Sequence, residues 1–200
     1  MADKRISLPK VEMDKTELIR ILSLRRTDRS FATKELSREM IADLLWAAYG
    51  INRPDSGKRT APSAHNWQQV DVYVADANGL YLYNATANTL DVLGTKDIRA
   101  LTGAANAPLN LIYVVDEAKV SQNLQKDLKT MFSATTVGAI SQNVYLFCAA
   151  EGLATGVRGD IQRDQLHKAM GLRKSQTIYL AQSVGFSKKG VKQWIKKVLK

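Results

Sequence analysis

The sequence predicts an α+β fold, and three observations support this prediction. Apolar residues recur at helical spacing near the amino terminus and again over a long segment in the second half of the chain. Short runs rich in β-branched and aromatic residues lie between these helical regions. Further strand-like runs follow the long helix. A chain of this kind is expected to build a sheet with helices packed against it.

The composition indicates one domain of ordinary size. The chain has 200 residues, of which 45% are hydrophobic and 24% charged, which is enough for a substantial core. We divide it into an N-terminal arm (1–13), one domain (14–186) and a basic amphipathic tail (187–200). No apolar run is long enough to cross a bilayer. The first ten residues lack the apolar core of a signal peptide, so we expect a cytoplasmic protein, or an exported one whose leader has been removed.

Charge and cysteine content limit the classes of function. The formal net charge is +10, which favours an anionic partner such as a cofactor or a nucleic acid. Cys148 is the single cysteine, so the chain has no internal disulfide and no cysteine-based metal cluster. His65 and His167 lie far apart in sequence and have no neighbouring ligands at metal-binding spacing. We therefore expect no metal site.

Two helices are predicted in the first fifty residues. Asp14 or Thr16 is the N-cap candidate of the first helix, because either side chain can accept a hydrogen bond from the first helical turn. Ser37 is the N-cap candidate of the second helix, which is expected to end at Gly50. The following segment, 51–62, contains proline, glycine and basic residues and is interpreted as a polar functional loop.

The middle of the chain is predicted to form most of the sheet. An Asn78-Gly79 turn joins the first two strands into a hairpin, and a short helix is expected at 98–102. The largely apolar run 109–115 is typical of a strand buried in the middle of a sheet. The predicted strands of this region are 70–75, 80–83, 89–93 and 109–115.

A long helix is predicted over 122–150. Its second half has little polar face and therefore requires cover almost all round. The apolar residues of this half are Ala139, Ile140, Val144, Tyr145, Phe147, Cys148 and Ala149. In a chain this short, part of that cover is expected from a second subunit. A strand at 153–158, a helix at 163–170 and a strand at 177–183 follow. Trp194 and Ile195 lie opposite the lysines of the tail, which would pack on its own subunit, on a partner subunit or on an anionic membrane.

A basic stretch follows the first helix. Arg25, Arg26, Thr27 and Arg29 lie within five residues. Guanidinium groups donate paired hydrogen bonds to phosphate oxygens, and a hydroxyl between them can serve a further oxygen. A phosphate monoester therefore fits this stretch well. The same residues are also compatible with a solvated basic turn at the negative end of a helix dipole.

A second stretch, 61–68, precedes the first strand and carries turn residues and side-chain amides. Together the two stretches resemble the FMN-dependent nitroreductase family. The first family motif has seven positions. It begins with Arg, then has either Arg or His, and then either Ser or Thr; after any one residue comes either Arg or Lys, and after any one further residue either Phe or Tyr. The second is Pro-Ser, two residues, Asn, one residue, Gln. The resemblance extends over about 18–186, and the matching residues are Arg25, Arg26, Thr27, Arg29, Phe31, Pro62, Ser63, Asn66 and Gln68.

The resemblance implies a mixed central sheet flanked by helices, a long buried central helix and an intertwined homodimer with FMN at its interface. Arg25, Thr27 and Arg29 would surround the FMN phosphate. Arg26 would be directed at the phosphate or the ribityl chain. Lys188 is either a further phosphate ligand or a solvated lysine.

The resemblance also implies contacts with the flavin ring. Pro62, Ser63 and Asn66 would meet the ring and ribityl side, where an amide can both donate and accept. Gln68 would join them or begin the strand. Arg158, Gly159 and Asp160 occupy the turn from which family members aim backbone N–H groups at flavin N5 and O4. Many members have Glu-Gly near this turn, so the contacts here are expected to come from the backbone.

The implied activity is hydride transfer from NADH or NADPH through FMN to a nitroaromatic, a quinone or a similar small-molecule electron acceptor, by a ping-pong mechanism. No side chain is expected to act as an obligatory acid, base or nucleophile, and His65 is interpreted as a substrate-pocket residue. One alternative is a flavin-dependent dehydrogenase with another bound substrate. A basic nucleic-acid-binding protein is an alternative from another class, although the sequence has no recognisable nucleic-acid-binding motif.

Overall fold

The computed structural model describes residue 6 and residues 8–188. Within these residues the chain forms four α-helices and eight strands. The helices are α1 (Glu17–Leu24), α2 (Arg38–Tyr49), α3 (Lys126–Ala150) and α4 (Arg163–Ala169). The strands are β1 (Ile51–Arg53), β2 (Lys58–Arg59), β3 (Val70–Ala75), β4 (Leu80–Asn84), β5 (Thr89–Gly94), β6 (Leu109–Asp116), β7 (Leu153–Arg158) and β8 (Gln176–Phe186).

Six strands form the main sheet, in the order β5-β4-β3-β6-β8-β7. All eight residues of β6 are buried, as expected for an apolar strand near the middle of the sheet. The predicted α+β class is confirmed. The resemblance implied a mixed sheet, whereas the described strands pair only in the antiparallel sense. Strand β7 lies at one edge of this sheet, next to the basic stretch.

Helices cover both faces of the sheet. On one face, α2 and α3 bury Leu44 and Ile140 against residues of β3 and β6 such as Leu111. On the other face, Leu166 of α4 packs with Ile112 and neighbouring strand residues. Because alternate residues of a strand point to opposite faces, Leu111 and Ile112 serve different cores.

Most predicted elements are found at or near their expected positions. Thr16 caps α1 through a hydrogen bond from the Ile19 N–H, and Ser37 caps α2 through one from the Met40 N–H. The Asp76 carboxylate accepts the N–H groups of Asn78 and Gly79, which fixes the predicted hairpin turn.

Three predicted boundaries are wrong. The segment 51–62 is not simply a loop, because β1 and β2 form a small hairpin closed by Gly57 at φ 61°. Helix α3 starts at Lys126 rather than 122, since the chain turns with a hydrogen bond from the Leu124 N–H to the Ser121 carbonyl. Strand β8 extends to Phe186, because β7 pairs with it as far as that residue.

The predicted tail, including Trp194 and Ile195, lies outside the described residues, and so does part of the arm. Within the described part of the chain, no helix combines the length and apolarity needed to cross a bilayer.

Candidate functional site

The basic stretch closes the free edge of strand β7. The Asp28 N–H donates to the Thr155 carbonyl at 2.9 Å, and Arg29 Nη2 donates to the Val157 carbonyl at 2.8 Å. The Val157 N–H donates to the Tyr145 hydroxyl at 3.0 Å. An edge strand otherwise presents unpaired backbone groups, so these contacts give the basic stretch a fixed position against the sheet.

Gly156 provides the space that Arg29 and Thr27 occupy. A Cβ atom on Gly156 would lie 2.9 Å from Arg29 Cγ, 3.1 Å from Arg29 Nε and 3.3 Å from Thr27 Cγ2. An isolated glycine within a strand often marks close approach by another segment. That signal is present in the sequence, and the structure identifies Arg29 and Thr27 as the approaching residues.

Tyr145 of α3 holds two residues of the basic stretch. Its hydroxyl lies 3.0 Å from Thr27 Oγ1, and its ring lies under the Arg25 guanidinium, 5.4 Å from the ring centroid to Cζ. Tyr145 is only 8% exposed, whereas Thr27 and Arg29 are exposed. In the sequence Tyr145 is one more aromatic residue of an apolar helix, and no spacing signal singles it out.

Arg158 adds a cation on the same face of β7 as Gly156. Burial lowers the pKa of the Arg158 guanidinium, and the positive charge of Arg29 lowers that pKa further. Arg158 Nε donates to Ser183 Oγ at 3.4 Å, and the Ser183 hydroxyl donates to Asn110 Oδ1 at 2.7 Å. Within the described residues no carboxylate forms an ion pair with Arg29 or Arg158. These two like charges would therefore be stabilised by an anion.

The turn after β7 carries two further predicted site residues. Gly159 and Asp160 are exposed. The Asp160 carbonyl lies 3.4 Å from the position that a Cβ atom would take on Gly103, and Arg158 Cδ lies 3.9 Å from it. The turn therefore lies beside the Gly103 turn, with its backbone accessible.

Asp28 and the end of β8 shape the remainder of the basic stretch. The Asp28 carboxylate accepts the Ser30 N–H at 2.9 Å and the Ser187 hydroxyl at 3.0 Å, and Arg26 Nη2 lies 3.8 Å from it. The Lys188 N–H donates to the Ser30 carbonyl at 2.9 Å. Lys188 thus begins next to the basic stretch, and its side chain is exposed.

The second predicted stretch forms a strained loop. His65, Asn66 and Gln68 have φ values of 50°, 55° and 47°, in the left-handed region that non-glycine residues rarely adopt. Each such residue costs on the order of 1–3 kcal/mol, and this kind of strain clusters at functional sites. Pro62, His65 and Asn66 are exposed on this loop.

Gln68 holds the loop together from within. Its Oε1 accepts from Arg59 Nε at 2.7 Å, and its Nε2 donates to the Gly57 carbonyl at 2.9 Å and to Asn66 Oδ1 at 3.2 Å. The Gln68 N–H donates to Ser63 Oγ at 3.1 Å. Gln68 does not begin strand β3, and its side-chain amide links the loop to the β1–β2 hairpin.

The two predicted stretches lie at different positions along α3. Trp67 of the loop packs edge-on against Phe132, with ring centroids 6.0 Å apart, while the basic stretch packs on Tyr145. Phe132 and Tyr145 are separated by thirteen residues, or about 20 Å of helix. A single chain therefore brings Arg25, Arg26, Thr27 and Arg29 together with Arg158 to Asp160 and Lys188. It does not add Pro62, Ser63, His65, Asn66 or Gln68 to that group.

Two further features of the described residues bear on cysteine chemistry and metal binding. Cys148 is buried, and burial raises the pKa of its thiol to about 12, so the reactive thiolate is scarce at neutral pH. Among residue 6 and residues 8–188, no three His, Cys, Asp or Glu side chains are grouped in a way that could hold a metal ion.

Comparison with known proteins identifies the family. A sequence profile described as the nitroreductase family matches residues 22–186, which include both motifs and every main-sheet strand. The chain belongs to the nitroreductase family. An oxidoreductase role follows from this membership. The match also confirms the family resemblance stated from the two motifs.

Individual relatives agree with this assignment. The crystal structure of a nitroreductase homologue from Ralstonia eutropha superposes with a TM-score of 0.81 and 36% identity, covering 91% of this chain and 89% of that one. A nitroreductase homologue of Methanocaldococcus jannaschii is 25% identical over 183 residues, which cover 84% of this chain and 90% of that protein. The fold is also similar to that of an NADPH:FMN oxidoreductase from Vibrio harveyi, with a TM-score of 0.63, 17% identity, and coverage of 86% and 70% of the two chains.

Proposed function

We propose that the protein is an FMN-dependent oxidoreductase that transfers hydride from NADH or NADPH through FMN to a nitroaromatic, quinone or similar acceptor. The observation that carries this proposal is the group of cations at the edge of β7. Arg25 lies over the ring of Tyr145, whose hydroxyl contacts Thr27. Arg29 contacts the Val157 carbonyl, and its charge acts on Arg158. No carboxylate among the described residues forms an ion pair with Arg29 or Arg158.

The residues at this edge fit the phosphate end of FMN. Guanidiniums and a hydroxyl are suitable donors for a phosphate dianion, and Arg25, Thr27 and Arg29 are held from below by Tyr145 and β7. Arg26 and Lys188 start beside them and can add charge from the solvent side. FMN, when bound, supplies the two-electron chemistry, and the chain contributes binding, orientation and electrostatics.

The turn at Arg158, Gly159 and Asp160 suits the redox end of the flavin ring. Its residues follow directly from the strand that carries the anion site, and its backbone is accessible. N–H groups fixed on a rigid strand end can stabilise negative charge as it develops, without any proton transfer by a side chain. We therefore assign no catalytic side chain.

We propose that a second copy of the chain completes the site. Phe132, which packs on the strained loop, and Tyr145, which packs on the basic stretch, are placed almost evenly on either side of Gly138. If two copies of α3 cross in antiparallel fashion near Gly138, the loop of one copy approaches the basic stretch of the other. A symmetric dimer would then have two such sites.

The surface of α3 is compatible with this crossing. Gly138 is exposed, and a Cβ atom built there has no neighbour within 4 Å, so another helix can approach closely. Leu128 is 37% exposed and Met131 is 51% exposed on the same helix. On this proposal Pro62, Ser63 and Asn66 meet the ring of an FMN whose phosphate is held by the other chain. Gln68 supports them from within the loop, and His65 faces the substrate.

The experiment that tests the proposed function is spectroscopic. Purified protein is mixed with FMN, separated from free cofactor, and titrated with NADH and NADPH separately in the absence of oxygen. We expect retained FMN and bleaching of the visible flavin band by at least one nicotinamide. Steady-state rates at varied donor and acceptor should then give parallel lines, because one site serves both in turn. Failure to retain FMN, together with tight salt-sensitive DNA binding, would instead support a nucleic-acid-binding protein.

A further inference from the structure

The hydroxyl of Tyr145 has two partners that restrict where its proton can lie. The Val157 N–H and Thr27 Oγ1 are both 3.0 Å from it. A backbone N–H can only donate, so the Tyr145 oxygen accepts from Val157. The Tyr145 proton then remains available for Thr27 Oγ1, which has no other hydrogen-bond partner among the described residues.

This order of donors leaves the Thr27 proton free. When Thr27 Oγ1 accepts from Tyr145, its own hydroxyl proton can point away from the protein, toward the exposed side of the basic stretch. Hydrogen bonds in a chain polarise one another, which makes the last donor stronger. A hydroxyl proton directed outward from the stretch that also carries Arg25 and Arg29 is suited to a phosphate oxygen.

We propose that Tyr145 is a positioning residue that fixes the direction of the Thr27 hydroxyl and thereby the affinity for a phosphate monoester. This inference rests on the proposed FMN function, because FMN is the phosphate monoester that it concerns. The chain of donors runs from the Val157 N–H through Tyr145 and Thr27 to the phosphate. Tyr145 touches no part of the ligand in this arrangement and acts through Thr27.

The Tyr145 ring has a separate role, which allows the hydroxyl to be tested alone. The ring supports the Arg25 guanidinium through a cation–π contact, and a phenylalanine at this position keeps that surface. Tyr145→Phe therefore removes the hydroxyl and leaves the ring beneath Arg25. Tyr83→Phe is the matched control. Tyr83 is also 8% exposed, and its hydroxyl donates to Asn88 Oδ1 at 3.3 Å. Its strand, β4, lies near the edge of the sheet that is opposite to β7.

The experiment compares FMN with riboflavin, which has the same ring but no phosphate. Dissociation constants are measured by quenching of flavin fluorescence for wild type, Tyr145→Phe, Thr27→Val, the double variant and Tyr83→Phe. We expect Tyr145→Phe to weaken FMN binding severalfold and at most about tenfold, the effect of one lost hydrogen bond between neutral groups, and to leave riboflavin affinity unchanged. The double variant should bind FMN no more weakly than Thr27→Val, because both changes interrupt one chain of donors.

Two results would overturn the inference. Wild-type FMN affinity in Tyr145→Phe would show that the hydroxyl does not act on the phosphate. An equal loss of FMN and riboflavin affinity, or full additivity with Thr27→Val, would show a general structural effect. If wild type binds no FMN, both the proposed function and this inference are contradicted, whereas FMN binding that is unchanged by Tyr145→Phe contradicts the inference alone.

Discussion

Gly156→Ala tests whether the basic stretch is positioned by strand β7. The added Cβ would lie 2.9 Å from Arg29 Cγ and 3.3 Å from Thr27 Cγ2, whereas carbon atoms in favourable contact are about 3.5–4.0 Å apart. Arg29 Cγ must therefore move by roughly 0.6–1.1 Å and Thr27 Cγ2 by roughly 0.2–0.7 Å. Arg29 Cγ is near the start of its side chain, so this shift cannot be absorbed by the guanidinium end alone.

The cost is expected mainly in FMN affinity. A hydrogen bond to a charged group is worth about 1.5–3 kcal/mol, and the shift would displace Arg29 and Thr27, which are proposed to donate to the phosphate. Loss of about 1.4 kcal/mol of binding free energy corresponds to tenfold weaker FMN binding, which we take as the lower limit for Gly156→Ala. Gly94→Ala is the control, because a Cβ atom there meets nothing within 4 Å. Unchanged FMN affinity in Gly156→Ala, measured by fluorescence quenching, would refute this account of the site.

Three other expectations concern the phosphate ligands, the dimer and the buried cysteine. Arg29→Ala should weaken FMN binding roughly thirtyfold, and more than Lys188→Ala, because Arg29 is held against β7 whereas the Lys188 side chain is exposed. Equal FMN affinities of wild type and Arg29→Ala would contradict this assignment. Light scattering at micromolar concentration should give the mass of a dimer, and Met131→Asp should shift it toward the monomer, while a wild-type monomer that retains FMN would be incompatible with a shared site. Cys148 should resist thiol reagents at pH 8 until the protein unfolds, because its pKa is raised to about 12; rapid labelling of the native protein would show that the thiol is accessible.

Much of the fold is predictable from local sequence signals. Thr16 and Ser37 are N-caps as their side chains indicate, and the Asn78-Gly79 turn joins two strands as its conformational preference requires. The largely apolar run that forms β6 lies between two other strands, because a strand with apolar side chains on both faces must be covered on both faces. Where prediction failed, as at the β1–β2 hairpin, the structure depends on a non-local anchor. Arg59 bonds to the Tyr49 carbonyl and to Gln68, and these partners cannot be inferred from neighbouring residues.

The candidate site was predictable only in part. Motif matching selected Arg25, Thr27 and Arg29, but it could not indicate that Tyr145 supports two of them from another element. It also grouped the strained loop with the basic stretch, although about 20 Å of α3 separates their packing partners in one chain. Sequence order does not show which parts of a site come from different copies of a protein.

Mixed dimers test the shared site most directly. Arg29→Ala damages the basic stretch and Asn66→Ala the loop, and each variant alone should bind FMN poorly. When the two chains are co-expressed with different affinity tags and the mixed dimer is isolated, one of its two sites combines an intact basic stretch with an intact loop. We predict about half-occupancy with FMN at wild-type affinity in the isolated mixed dimer, as symmetry requires. If every site were built within one chain, the mixed dimer would bind FMN no better than the two variants, and the account would be contradicted.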